Sequence, residues 1–243
     1  MIVNGVKINY LHYGNKEAKD TIVLLHGWGQ NIEMMRSVGD AFVKTHEVVI
    51  LDLPGYGKSS EPPFAWSVYD YTECIYEFLK KIKIKNPILI GHSFGGKISL
   101  EYASKYDVKK LVLFASPYRK ELQRQPMTVK ILKQMKKVPG LKKLENWAKK
   151  HIGSTDYRNA SPLMRDVLVK TVNLDITEDV KKITCPTLLF WGTEDSAVHI
   201  NSAYELEKLI PNAGLITYEG CTHYAYLERL GNVILALKSF FQS

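Results

Sequence analysis

The sequence predicts an α/β fold in which helices cover both faces of a mostly parallel central sheet. Apolar runs rich in Val, Ile and Leu recur along the 243 residues, and segments with helical periodicity separate them. A serine between two glycines stands where one such strand turns into a helix. A long stretch without a strand pattern, residues 117–182, then interrupts the alternation. This length suits one large domain with a helical insertion.

The first part of the chain alternates strands and helices up to the glycine-flanked serine. Apolar and polar residues alternate in the first strand, whereas the next two strands are continuously apolar and therefore buried. These three strands are predicted at 6–14, 21–25 and 48–53. A helical stretch reaches about residue 44, and a second helix at 68–82 places Ile75, Leu79 and Ile82 on one face.

Residues 87–96, PILIGHSFGG, form the pattern of a nucleophile elbow, G-x-S-x-G. A β-type run ends at Gly91, Ser93 follows two residues later, and a helix-forming segment starts after Gly95 and Gly96. The chain must turn within one residue, so side chains beside the serine would collide with the turn. We therefore predict that Ser93 lies at the carboxyl end of the sheet as a nucleophile.

Beyond the elbow, a buried strand is predicted at 110–116 and further strands at 187–192 and 214–220, with helices near 201–210 and 233–242. The intervening segment contains amphipathic stretches at 127–138, 141–152 and 163–174, separated by prolines. The expected division is a core formed by 1–116 and 183–243, and a helical cap formed by 117–182.

A serine hydroxyl needs a histidine base and a carboxylate that fixes the tautomer of that histidine. Asp195 follows strand 187–192 and His223 follows strand 214–220, in the order serine, acid, histidine. Spacing alone leaves Glu194 open as the acid, but we favour Asp195. His199 competes as the base but precedes the next strand, which disfavours it.

A short motif and the cysteine content bear on the ligands and the location of the protein. Residues 57–59, GKS, resemble part of a phosphate-binding loop, but the required glycine five residues before Gly57 is Asp52, which disfavours nucleotide binding. Asp52 and the glycines are better explained as turn residues. Three cysteines without metal-ligand spacing, no secretory signal pattern and no membrane-spanning apolar run favour a cytoplasmic location.

The formal charge of +8 is concentrated at residues 119–150, which contain 11 Lys and Arg against two acidic residues. This basic segment is consistent with a solvated face, a surface for anionic lipid or a funnel for acidic substrates. We favour the solvated face, so a membrane partner is disfavoured and no nucleic-acid partner is expected. The oligomeric state stays open.

Together these motifs resemble the α/β-hydrolase superfamily, specifically its capped serine-hydrolase, carboxylesterase-like branch. The landmarks, in order, are His26-Gly27, the D-x-P-G-x-G loop at 52–57, GHSFGG at 91–96, G-x-x-D at 192–195 and Gly220-x-x-His223. The resemblance implies a triad of Ser93, His223 and Asp195, with an oxyanion hole formed by the backbone N–H groups of Phe94 and Trp28. It implies no metal or organic cofactor.

The function expected from this resemblance is hydrolysis of small-molecule carboxylic esters with small to medium acyl groups. Hydrolysis of carbon–carbon bonds in dienone ring-cleavage products is the alternative, although such enzymes commonly carry Trp where this chain has Tyr224. A ligand-binding protein with little turnover is a third possibility. The substrate-binding candidates are Met127, Met135, Trp147 and Tyr224. For the cap residues among them, packing explains the helical spacing equally well.

Overall fold

The computed structural model describes residues 1–120 and 160–242. The strands are β1 (Ile2–Val3), β2 (Val6–Lys7), β3 (Tyr10–Gly14), β4 (Thr21–Leu25), β5 (Glu47–Leu51), β6 (Ile88–His92), β7 (Lys110–Phe114), β8 (Thr187–Gly192) and β9 (Ala213–Tyr218). The described helices are α1 (Glu33–Asp40), α2 (Val68–Lys81), α3 (Phe94–Lys105), α4 (Pro162–Asn173), α5 (Thr177–Val180), α6 (Asn201–Leu209), α7 (Ala225–Glu228) and α8 (Leu230–Gln242).

Seven strands form one sheet in the order β3-β5-β4-β6-β7-β8-β9. Strand β3 pairs antiparallel with β5, and every other pairing in this sheet is parallel. The predicted mostly parallel sheet is therefore confirmed. The carboxyl ends of β4 to β9 meet at one edge, where an open α/β sheet places its binding site.

Each central strand buries one set of side chains on each face of the sheet, because successive side chains point in opposite directions. On one face, Val23, Leu25 and Leu89 join a cluster with apolar residues of α2 and α3. On the other face, Ile22, Leu24 and Ile90 pack with apolar residues of α1 and α8. Helices thus cover both faces, as the sequence predicts.

The predicted strand at 6–14 is wrong in one respect. The structure divides it into β2 and β3, and β2 forms a short hairpin with β1. Asn4 and Gly5 make the turn of this hairpin with φ values of 47° and 77°. Asn-Gly is a favoured pair for such a turn because both residues tolerate positive φ. This signal lies outside the predicted strand.

Only part of the predicted cap lies within the described residues. There, α4 confirms the helix predicted at 163–174, and its first turn is capped by Ser161, whose Oγ accepts a hydrogen bond from the backbone N–H of Met164 at 3.1 Å. The helices predicted at 127–138 and 141–152, with Met127, Met135 and Trp147, lie outside the described residues. The division into core and cap stays a prediction.

None of the helices in the described ranges is both long enough and apolar enough to cross a membrane.

Candidate active site

Ser93 occupies a sharp turn between β6 and α3. Strand β6 ends at His92 and helix α3 begins at Phe94, so Ser93 alone makes the turn, with φ 50° and ψ −113°. This is a strained conformation for a residue with a side chain. The N–H of Ser93 donates to the carbonyl of Phe114 at the end of β7, at 2.9 Å. The neighbouring strand therefore supports the turn.

The glycines on either side of Ser93 allow this turn because nothing larger fits. A Cβ at Gly91 would lie 2.5 Å from the Cα of Gly96, and a Cβ at Gly95 would lie 2.4 Å from the carbonyl oxygen of Leu25. Both neighbours are backbone atoms and cannot turn aside. The elbow thus requires close approach between α3 and the strands beneath it.

His223 and Asp195 are brought together from loops that follow β9 and β8. The Nδ1 of His223 lies 2.7 Å from Oδ2 of Asp195, whose side chain is fully buried. The other carboxylate oxygen, Oδ1, accepts hydrogen bonds from the backbone N–H groups of Ala197 and Val198 at 2.8 and 2.9 Å. Glu194 is exposed. The structure thus joins His223 to Asp195, the acid that the sequence favoured.

This pairing leaves Nε2 of His223 available to accept a proton, because Nδ1–H donates to the carboxylate.

His92 links the elbow to the loop that carries His223. Its ring centroid lies 4.8 Å from that of His223, and its Nε2 donates to the backbone carbonyl of His223 at 3.1 Å. Burial lowers the pKa of His92 to about 3, so this ring is neutral. Because His92 precedes Ser93, the contact sets His223 beside the elbow. His199, the competing candidate for the base, instead accepts a hydrogen bond at Nδ1 from the backbone N–H of Asn201.

Gln30 connects three loops and was not predicted. Its Oε1 accepts a hydrogen bond from the N–H of Gly27 at 2.9 Å and lies 3.1 Å from Nδ1 of His92. Its amide nitrogen lies 3.5 Å from the hydroxyl of Tyr224. Tyr224 is 40% exposed and its ring lies 5.5 Å from that of His92. Gln30 and Tyr224 therefore border the site together, although no pattern in the sequence singles out Gln30.

Trp28 and Phe94, the candidates for the oxyanion hole, lie side by side. Their rings are 5.5 Å apart, and Tyr56 packs against both, at 5.2 Å from Trp28 and 6.4 Å from Phe94. Trp28 belongs to the turn after β4, and Phe94 directly follows Ser93. The three rings form an aromatic wall next to the elbow. Tyr56 was missed because its loop was interpreted only as a turn.

The side chain of Asp52 holds three neighbouring segments of the chain in place. Its Oδ1 accepts from the N–H of Ile32, and its Oδ2 accepts from the N–H of Lys58 and the side-chain amide of Asn9, each at 2.8 Å. The predicted turn role of Asp52 fits these bonds. The backbone of the GKS loop therefore faces a carboxylate of the same chain.

Within the described ranges, no group of three or more His, Cys, Asp or Glu residues could hold a metal ion.

Residues 20–134 and 108–230 match the family model described as alpha/beta hydrolase fold. The chain belongs to the alpha/beta hydrolase family. Hydrolases of known structure share its architecture, which agrees with the mostly parallel sheet and the flanking helices. The expected family and fold class are thus confirmed.

Relatives of this hydrolase include esterases and lipases. It is 23% identical to pimeloyl-[acyl-carrier protein] methyl ester esterase of Aliivibrio fischeri, over 95% of this chain and 96% of the relative. It is 28% identical to lipase 1 of Psychrobacter immobilis, over 98% and 82% of the two chains. An esterase from Exiguobacterium antarcticum has a similar structure, with a TM-score of 0.77, 24% identity and coverage of 99% and 97%.

Proposed function

We propose that this hydrolase cleaves carboxylic esters of small to medium acyl groups through Ser93, His223 and Asp195. The observation that carries the proposal is the hydrogen-bonded pair of His223 and Asp195, at 2.7 Å, in a loop that contacts the elbow through His92. A strained serine, a histidine with a free Nε2 and a buried carboxylate are the three groups that acyl transfer requires.

In the proposed reaction, Oγ of Ser93 attacks the ester carbonyl while Nε2 of His223 takes the hydroxyl proton. Asp195 keeps the imidazole oriented and stabilises its protonated form. The backbone N–H groups of Phe94 and Trp28 donate to the oxyanion of the tetrahedral intermediate. His223 returns the proton to the departing alcohol, which leaves an acyl-enzyme. Water, deprotonated by His223, then releases the acid and restores Ser93.

The relatives support the ester as the substrate class. A methyl ester esterase and a lipase align with nearly the whole chain, and both of these names denote ester hydrolysis. We propose that the aromatic wall of Trp28, Tyr56 and Phe94, of which Trp28 is only partly buried, lines the acyl pocket. We expect the highest kcat/KM on p-nitrophenyl esters of roughly two to eight acyl carbons.

The test is the variant Ser93→Ala, assayed with these esters. We expect a loss of about 10⁴-fold or more in kcat, because the nucleophile is removed while the fold is retained. Ser196→Ala is the matched control, since Ser196 is exposed in the Asp195 loop. A fluorophosphonate probe should label the parent protein and not Ser93→Ala. Turnover that survives in Ser93→Ala would overturn the proposal.

Two further measurements on the parent protein test the two alternative functions. A meta-cleavage product hydrolase from Pseudomonas fluorescens shares the fold, with a TM-score of 0.76 and 21% identity. Turnover of a chromogenic dienone far above that of simple esters would favour carbon–carbon bond hydrolysis. Tight binding of a small molecule without acylation of Ser93 would favour a ligand-binding protein.

A further inference from the structure

Lys97 is a buried cation that the proposed reaction does not use. It lies on α3, four residues after Ser93, and is 2% exposed. Its Nζ donates to the backbone carbonyls of Thr171 and Leu174, at 2.9 and 2.5 Å. These carbonyls lie at the C-terminus of α4, where a helix has unpaired acceptors and partial negative charge. The ammonium of Lys97 therefore caps α4 from the helix that begins at the elbow.

Burial of this ammonium is unfavourable in itself. Burial lowers the pKa of Lys97 to about 8, and the nearby carboxylate of Asp175 offsets this only in part. An apolar side chain of similar volume would fill the same space without the cost of removing a charge from water. What the lysine adds is a directional attachment between α3 and α4.

The other end of α4 contacts the loop that carries Tyr56 of the aromatic wall. A Cβ placed on Gly55 would lie 2.5 Å from the sulfur of Met164, so the side chain of Met164, in the first turn of α4, rests on Gly55. Gly55 directly precedes Tyr56, whose ring packs against Trp28. The position of α4 is thus transmitted through Met164 to the loop that carries part of the wall.

We propose that Lys97 is a positioning residue that sets α4, and through Met164 the aromatic wall, relative to Ser93 and so tunes acyl selectivity. This inference rests on the proposed ester hydrolysis. Lys97 touches neither the reacting atoms nor His223 in this scheme, and its effect passes through α4.

The test compares Lys97→Met with Lys110→Met. Met matches the length of Lys without its charge or donors. Lys110 is a matched control because it is also buried and also donates to a carbonyl near a helix C-terminus, that of Phe240 in α8. It stands at the start of β7, the opposite end from Phe114, which supports Ser93.

Two readouts are measured on each variant: amide hydrogen exchange across α4, and the ratio of kcat/KM for p-nitrophenyl acetate and octanoate. For Lys97→Met we expect exchange in the last turn of α4 to rise at least tenfold and the ratio to change at least fivefold. For Lys110→Met we expect both to stay within twofold of the parent.

An unchanged exchange rate and an unchanged ratio in Lys97→Met would overturn the proposal. Faster exchange with an unchanged ratio would also overturn it, since Lys97 would then be structural alone. If Lys97→Met does not fold, the same two readouts are measured on Lys97→Gln, which keeps one donor group without charge. Absence of fluorophosphonate labelling at Ser93 in the parent would instead refute the proposed function. Amide hydrogen exchange would in that case still show whether Lys97 attaches α4 to α3.

Discussion

At Asp195 the two carboxylate oxygens have different partners. Oδ1 accepts hydrogen bonds from two backbone N–H groups, and Oδ2 accepts one from Nδ1–H of His223. The acceptor therefore cannot rotate away from the imidazole, and the proton of His223 stays on Nδ1. The orientation of the histidine depends on a carboxylate that is itself fixed by its own loop.

Replacing this carboxylate with an amide tests its role. In Asp195→Asn the amide keeps the shape but can present N–H to Nδ1, which favours the wrong tautomer of His223. We expect kcat on p-nitrophenyl acetate to fall by on the order of 10³- to 10⁴-fold, with KM changed little. Glu194→Gln, at the exposed neighbour, should retain full activity. Equal losses in the two variants would show that the carboxylate of Asp195 has no special part.

Among the elements, the junction of β4, β6 and α3 decides the geometry of the site. Helix α3 starts immediately at the elbow and packs so closely on the end of β4 that Gly95 faces the carbonyl oxygens of Leu25 and His26. The turn that carries Trp28 begins at the same point. Any widening here moves both sides of the proposed oxyanion hole.

Gly95→Ala should widen this junction. Its Cβ would meet the carbonyl oxygens of Leu25 and His26 at 2.4 and 2.5 Å, both of them backbone atoms. We expect a loss of about 1–3 kcal/mol in unfolding free energy, measured by urea denaturation, and a large loss of ester turnover. Gly231→Ala is the control, because nothing lies within 4 Å of its Cβ in α8 and alanine favours helix. Unaltered stability in Gly95→Ala would contradict the close packing.

At the scale of the whole molecule, protonation of three groups lowers the free energy of unfolding as the pH falls. Burial lowers the pKa of His26 to about 4 and that of His92 to about 3. Burial alone would raise the pKa of Glu47, but donors on β3, on β4 and in the connecting loop outweigh it and lower the value to about 2. In each case the unfolded chain binds protons more readily than the folded chain.

The free energy of unfolding should therefore fall as the pH drops. The histidine contribution begins to be lost below about pH 6.5, and the Glu47 contribution is lost between about pH 4.5 and 2. Burial raises the pKa of Glu101 to about 7, so protonation of Glu101 stabilises the fold over the same range and offsets part of this loss. We therefore expect a net decrease of about 1–2 kcal/mol between pH 7.5 and 5, measured by urea denaturation. Glu47→Gln should flatten the curve only below about pH 4.5. A constant stability from pH 7.5 to 4.5 would contradict neutral burial of the histidines.

The sequence by itself determined the mostly parallel sheet, the elbow and the candidates Ser93, Asp195 and His223. These are local signals: a buried strand, a glycine pair or a residue just after a strand can be recognised within a few positions. Even there, the hairpin of β1 and β2 was overlooked because the Asn-Gly turn lay outside the predicted strand.

Only the tertiary structure decided which acid pairs with His223 and which residues join the loops. Gln30 meets His92 and Tyr224, and Lys97 meets the end of α4, across separations of 62 to 194 residues. No periodicity reports such contacts, because they depend on how the sheet stacks distant segments at one edge. A glutamine or lysine acquires its role there from the partners that folding brings to it.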